Sequence, residues 1–85
     1  MLIRLKVLPT DASIKPDQLS NNIGKKLSSN MKMKNSRAEP IAFGLEALIA
    51  DFIVPDEEGM VDMLEETVNS VKFVSQIEVL GMSRR

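Results

Sequence analysis

The sequence predicts an α+β domain with four strands and two helices in the order β-α-β-β-α-β. Three observations carry this. Segments 2–8, 45–54 and 73–82 hold apolar residues in strict alternation or in short β-branched runs bounded by Pro or Gly. Segments 16–29 and 57–71 instead repeat their apolar residues every three or four positions, the period of a helix. The 85 residues, 44% hydrophobic and 27% charged, make one ordinary globular unit with a single small core.

The elements follow in order. In "LIRLKVL", residues 2–8, Ile3, Leu5 and Val7 share one face, while Arg4 and Lys6 share the other. This is a half-buried strand, which Pro9 is expected to end. Pro16 suits the first position of a helix, where its missing N–H costs nothing, and Asp17 suits the positive end of the macrodipole. Leu19, Ile23 and Leu27 give that helix one apolar stripe through residue 29. Gly24 costs about 1 kcal/mol relative to Ala in such a place, and is expected there for close packing on a sheet. Residues 31–38 alternate Met31 and Met33 with Lys32 and Lys34 before turning polar. They read as an edge strand whose lysines discourage edge-to-edge pairing.

"LEALIADFIV", residues 45–54, is apolar on both faces apart from Glu46 and Asp51. Ile49, Phe52, Ile53 and Val54, with Gly44 before and Pro55 after, favour a strand over a helix. A strand this apolar belongs in the centre of a sheet or has both faces covered. Val61, Leu64, Val68 and Val71 then follow helical spacing behind an acidic start at Asp56, Glu57, Glu58 and Asp62, which suits the dipole. A last strand over 73–82 sets Ile77 and Val79 against Glu78. In so short a chain this order builds a ferredoxin-like split βαβ fold: a four-stranded antiparallel sheet with two helices on one face and right-handed crossovers. The other face is left uncovered.

Absences narrow the function. The chain has no Cys, His, Trp or Tyr. That removes disulfides, thiolate zinc sites, the thiol nucleophile, and the commonest general base and metal ligand. No phosphate loop or calcium loop is present. Asp62 lies one helical turn from Glu65 and Glu66, but without apolar surroundings to shift a pKa these read as a solvated face. The expectation is a binding or regulatory protein: no enzyme, no catalytic or metal residue, no cofactor, and no stably bound small molecule. The start "MLIRLKVLPT" is too short and too early interrupted by charge for a signal peptide or a membrane span, so a cytoplasmic protein without membrane contact is expected. A net charge of −1 implies no bulk attraction to nucleic acid. Charge is nonetheless segregated. Lys25, Lys26, Lys32, Lys34 and Arg37 follow one another without an acid, and Asp56, Glu57, Glu58, Asp62, Glu65 and Glu66 without a base. Two solvated faces are the favoured reading, and a bipolar surface that orients a partner is the sharper one.

Two binding classes share this strand order. RNA-recognition domains stack bases on strand aromatics within a motif that "AFGLEA" does not match. A small-molecule-binding regulatory domain of the amino-acid-sensing type is the better alternative. It calls for a glycine in the turn after the first strand, and "PTDASIKP" has none.

The stretch "EPIAFGLEAL", followed by an apolar strand, an acidic "VPDEEG" and a terminal "IEVLGMSRR", closely resembles the translation elongation factor 1 beta family in its short archaeal form. The likeness runs from the first strand to the C-terminus, with P-I-A-F-G-L its most specific part. It implies a ferredoxin-like single guanine-nucleotide exchange domain over residues 1–85. The partner it implies is elongation factor 1 alpha, the GTPase that carries aminoacyl-tRNA. The family's central-loop aromatic falls on Phe43, implied to anchor in a pocket of the GTPase, with Pro40 and Gly44 beside it. The family's penultimate lysine falls on Arg84, implied to reach towards the Mg²⁺ and phosphate region, with Arg85 following. A planar guanidinium thus stands where the family carries a compact ammonium. Ile41 is expected in the core. Met82 is expected to pack near the chain's exit, so that Arg84 projects from an anchored strand.

Overall fold

The apolar faces predicted above require partners, and the computed structural model, which describes residues 1–83, shows how they meet. Its elements are β1 (Leu2–Pro9), α1 (Pro16–Lys26), β2 (Lys32–Pro40), a 3₁₀ turn (Ala42–Gly44), β3 (Glu46–Ile53), α2 (Met60–Asn69) and β4 (Val74–Ser83). The sheet order is β2-β3-β1-β4, and every neighbouring pair is antiparallel. This is the ferredoxin-like arrangement, with β3 central and β2 at an edge as their compositions demand.

The register makes one core. Ile3 faces Phe52, Leu5 faces Ala50, and Val7 faces Leu48. All six are buried, and they join Leu19 and Ile23 of α1 and Leu64 and Val68 of α2 in a single cluster. Both helices therefore lie on that face. On the other face, Ala47 and Ile49 are buried without joining the cluster. Long polar side chains cover them. Lys6 and Arg37 flank Ile49 in the register, and Lys6 of β1 crosses β3 to reach Glu39 of β2 at 3.3 Å. Lysine and arginine stems serve here as a thin apolar cover with charged ends in water.

Several boundaries differ from the sequence reading. Pro9 lies inside β1 as its last residue, facing Val74. A proline is admissible there because the β1–β4 register is irregular between Leu8 and Pro9 and the β1–β3 ladder has already ended at Val7. Helix α1 stops at Lys26 instead of running to 29. Leu27 is already extended, and a turn held by Ser28 Oγ donating to Asn30 Oδ1 at 2.6 Å takes over. At its start, Gln18 Oε1 accepts from the Lys15 N–H at 2.9 Å, satisfying a donor outside the helical ladder. Helix α2 begins at Met60 rather than 57, because Gly59 adopts φ +84 and breaks any helix before it. Glu57 and Glu58 thus lie ahead of the helix, leaving Asp62 as the acid of its first turn.

Gly24 is a plain correction. It is exposed, and a methyl group at its Cα would meet no atom within 4 Å, so close packing does not explain it. Its φ is not in the left-handed region. Gly24→Ala is expected to stabilise the domain by about 0.4–1 kcal/mol, by restricting the unfolded chain. Chemical denaturation of both proteins checks this, and a lower midpoint for the alanine variant contradicts it.

Candidate functional site

The sequence between β2 and β3 builds a turn that holds an aromatic ring in water. The Ile41 N–H donates to the Leu45 carbonyl at 2.8 Å, and the Leu45 N–H to the Ala42 carbonyl at 3.3 Å. These bonds close the chain so tightly that two successive residues take left-handed backbone, Phe43 at φ +63 and Gly44 at φ +76. Glycine accepts this freely. A bulky residue does not, at a cost of about 1–2 kcal/mol. The phenyl ring gains nothing in exchange, being 95% exposed. A strained backbone that presents an uncovered aromatic is the kind of outlier that clusters at binding sites.

The loop between β1 and α1 lies beside the turn. Ala12 Cβ would lie 3.8 Å from a Cβ placed on Gly44, an ordinary contact, so it is the backbone angle rather than space that demands glycine there. Lys15 Nζ approaches Glu46 Oε1 at 3.9 Å. The loop itself is pinned by Asp11, whose Oδ1 accepts from the Ser13 N–H at 2.8 Å and also from the Ser13 hydroxyl. Those Ser13 bonds hold the Asp11 carboxyl below the usual carboxylate range. Ile41, expected in the core, is only half-buried and stands outside the core cluster. The turn is too short and too tightly bonded to fold its side chain back under the helices. Pro40, the last residue of β2, and Gly44 share this turn with Phe43.

The C-terminal candidates lie elsewhere. Pro40 pairs with Glu46 and Pro9 with Val74, so the Phe43 turn sits at the end of the sheet where β1 finishes and β4 starts. Ser83 pairs with Leu2, at the opposite end. The intervening strand length is about 20 Å at 3.3 Å per residue. Arg84 and Arg85 lie outside the described residues. The strand base expected beneath them is present, since the β1 ladder holds β4 as far as Ser83. Met82 does not pack as expected. It is 55% exposed, because β4 is an outer strand and no helix covers its end.

Sequence reasoning missed a polar latch on the uncovered face. Arg4 Nε donates to Asp51 Oδ1 at 2.7 Å, and Nη2 donates to Oδ2 at 3.2 Å. The available signal was one arginine and one aspartate, each alone among apolar neighbours in strands destined for the centre of the sheet. Asp51 is the one buried charged residue among those described. The Arg4 hydrogen bond, against the opposing effect of burial, holds its carboxyl below the usual range, and the Asn35 side chain and the Lys34 charge add to this. The same pairing raises Arg4.

Aromatic residues are otherwise hidden from that face. Phe52 lies under the helices, and Phe73 sits at the rim, packed against the core with Lys72 Nζ 4.9 Å from its ring centroid. The uncovered face presents Leu2, Arg4, Lys6 and Leu8 of β1 beside Ala47, Ile49, Asp51 and Ile53 of β3. A sheet that stacks RNA bases needs aromatic rings there, and those central strands offer none.

Residues 2–84 match the EF-1 guanine nucleotide exchange domain family. The chain belongs to that family. Among similar proteins, elongation factor 1-beta of Sulfurisphaera tokodaii is 44% identical over 85 residues, covering 99% of this chain and 93% of the relative. That of Thermofilum pendens is 43% identical, covering 96% and 91%, and that of Saccharolobus solfataricus 42%, covering 99% and 93%. The resemblance read from the "EPIAFG" stretch is borne out, and the fold agrees with it. An exchange domain makes and breaks no covalent bond. The geometry presents an exposed ring at one end of the sheet.

Two outcomes follow from this geometry. A carboxyl whose folded pKa is depressed contributes stability above its unfolded value, about 3.9, and loses it as pH falls through the folded value. Asp51→Asn is therefore expected to unfold at lower denaturant than the parent at pH 7, with the difference shrinking as both are acidified below about pH 3. A constant difference across that range contradicts the assignment. Phe43→Ala is expected to change folding stability by no more than about 0.5 kcal/mol, against about 3–5 kcal/mol for a buried ring. Thermal denaturation decides between them.

Proposed function

We propose that this protein, acting as a single exchange domain in the cytoplasm, promotes the replacement of GDP by GTP on elongation factor 1 alpha. The observation that carries the reading is the uncovered Phe43 ring on its left-handed turn. Phe43 is the anchor, and Pro40 and Gly44 hold the turn that presents it. Arg84, with Arg85 behind it, brings positive charge towards the Mg²⁺ and phosphate region of the GTPase. Neither the membrane nor nucleic acid is a direct partner. Among the described residues no helix is long and apolar enough to cross a membrane, and the central strands bear no stacking ring on their uncovered face.

The physics is linkage. A factor that binds the nucleotide-free GTPase more tightly than the loaded one weakens nucleotide binding by the same ratio. A nanomolar nucleotide is held by about 12 kcal/mol, and speeding its release a thousandfold takes about 4 kcal/mol of transition-state stabilisation. An aromatic anchor and one well-placed cation suffice on that scale. A fixed cation near the magnesium site competes with the ion for carboxylate and phosphate oxygens, a direct electrostatic route to loosening the nucleotide. The direction of exchange comes from the greater abundance of GTP, not from the factor.

Release of a fluorescent GDP analogue from elongation factor 1 alpha tests the proposal. The parent protein is expected to accelerate release. Arg84→Ala is expected to lower the saturating rate by about ten- to a hundredfold, while Arg84→Lys retains it. An Arg84→Ala protein that matches the parent at saturation and across magnesium concentrations removes Arg84 from the mechanism. A parent that leaves the release rate unchanged removes the exchange function itself.

A further inference from the structure

The uncovered face of the sheet carries more positive charge than it pairs. Arg4 is matched with Asp51 and Lys6 with Glu39. Arg37 stands on the same face, since it pairs with Ile49. It is exposed, and among the described residues its guanidinium has no ion pair and no hydrogen-bond partner. A solvated charge whose stem covers Ile49 is the plain account of Arg37. Two further observations go beyond it.

The first is a backbone irregularity in β2. The register passes from Met33 opposite Phe52 to Asn35 opposite Asp51, so Lys34 is an extra residue. Successive residues of a regular strand point to opposite faces. The bulge suspends that alternation, and Lys34 and Asn35 both act on the Asp51 carboxyl, Asn35 by a hydrogen bond and Lys34 by its charge. Bulges of this kind re-aim side chains and recur beside functional sites. The second observation is a hollow of about 340 Å³ bordered by Arg4, Asn35, Ser36, Arg37, Ile49 and Asp51. Three adjacent strands build it, and its size lies at the small end of the range for small-molecule sites, about 300–1,000 Å³.

We infer that this hollow binds a phosphate group carried by a small soluble molecule. Charge and donor geometry identify the ligand. Arg4, Lys34 and Arg37 stand in or beside the hollow against one carboxylate, Asp51, so three positive charges meet one negative and two are left over. A phosphate monoester carries close to two negative charges at neutral pH. A guanidinium has five N–H donors. Arg4 commits two of them to Asp51, and Arg37 commits none among the described residues. Planar forks of this kind match phosphate oxygens two at a time. Ile49 offers the apolar part of the carrier a floor. A single-stranded nucleic acid would call for rings that stack its bases beside the phosphates, and the central strands bear none on this face. The site lies mid-sheet, between the Phe43 turn and the Ser83 end, and needs neither of them, so the inference stands apart from the exchange reading.

Chemical-shift titration of the backbone amides of the whole protein, at constant ionic strength, tests this. Glycerol 3-phosphate is the probe and acetate the singly charged comparison. Glycerol 3-phosphate is expected to bind with a Kd of about 1 mM, the scale of a few charge-assisted hydrogen bonds in an open site, and to shift Asn35, Ser36, Arg37 and Ile49. Acetate is expected to bind about tenfold more weakly or not at all. Arg37→Gln is expected to weaken glycerol 3-phosphate about tenfold. The Lys25→Gln, Lys26→Gln double variant, altered in the last turn of α1 outside the hollow, is expected to stay within about twofold of the parent, because exposed charges at a distance are screened. Thermal denaturation reports folding. Should Arg37→Gln melt early, Arg37→Met, which keeps an apolar stem over Ile49, provides the same comparison. Acetate that binds as tightly as the phosphate overturns the inference, and so does an arginine variant that binds like the parent. Equal weakening by the lysine variant also overturns it, for then the attraction is diffuse. So does a protein that ignores glycerol 3-phosphate yet sediments with vesicles of phosphatidylcholine and phosphatidic acid, for then the phosphate is a lipid headgroup.

Discussion

Three cross-strand pairs at the centre of the sheet, Ile3 with Phe52, Leu5 with Ala50 and Val7 with Leu48, hold everything else in place. They admit one register. A slip of a single residue turns every side chain to the opposite face, which here drives Arg4, Lys6 and Asp51 under the helices and lifts Phe52 into water. Burying unpaired charge costs far more than a small domain's margin of stability. The register in turn sets Arg4 against Asp51, seats β4 on the far side of β1, and puts the Phe43 turn and the Ser83 end of β4 at opposite ends of the sheet.

The parts legible in the sequence were those encoded by local periodicity. The alternation around Arg4 and Lys6, the apolar run from Leu48 to Val54, and the four-residue spacing of Leu19 and Ile23 each report their own environment, because the period of a strand or helix decides which side chains share a face. Element ends were less legible. The end of α1 depends on a local Ser28–Asn30 turn, and the start of α2 on the backbone angle of Gly59. Ile49 was read only as part of an apolar run, central in its sheet or covered on both faces. Its cover is the stems of neighbouring charged side chains, which no hydropathy pattern reveals. The Arg4–Asp51 latch joins residues 47 positions apart and exists only once the strands are paired.

The candidate site was legible in a different way. From residue type alone, a lone phenylalanine beside an apolar strand belongs in the core, and Ile41 was read on that logic. The likeness of "EPIAFG" to a known family reversed the reading for Phe43, and the left-handed backbone supplies the physical account. A backbone already held by a hydrogen-bonded turn loses little further freedom if the ring it carries is gripped. Such preorganisation lets a small contact contribute much of its gross energy to binding.

The position of β1 between β3 and β4 bears on how the chain acquires its shape during synthesis. Chains emerge from the ribosome N-terminus first, at about 5–20 residues per second. β1 is made first, yet one of its edges pairs with β4, with Leu2 opposite Ser83. Until β4 arrives, a nascent chain can assemble β1, α1, β2 and β3, but the outer edge of β1 stays bare, with its peptide groups open to any passing strand. β4, made after the other three strands, therefore closes the sheet, and the residues proposed to act on the nucleotide follow it in sequence. A truncated translation product would lack both at once. The cell would then hold an open-edged fragment rather than a folded, inactive competitor for the GTPase.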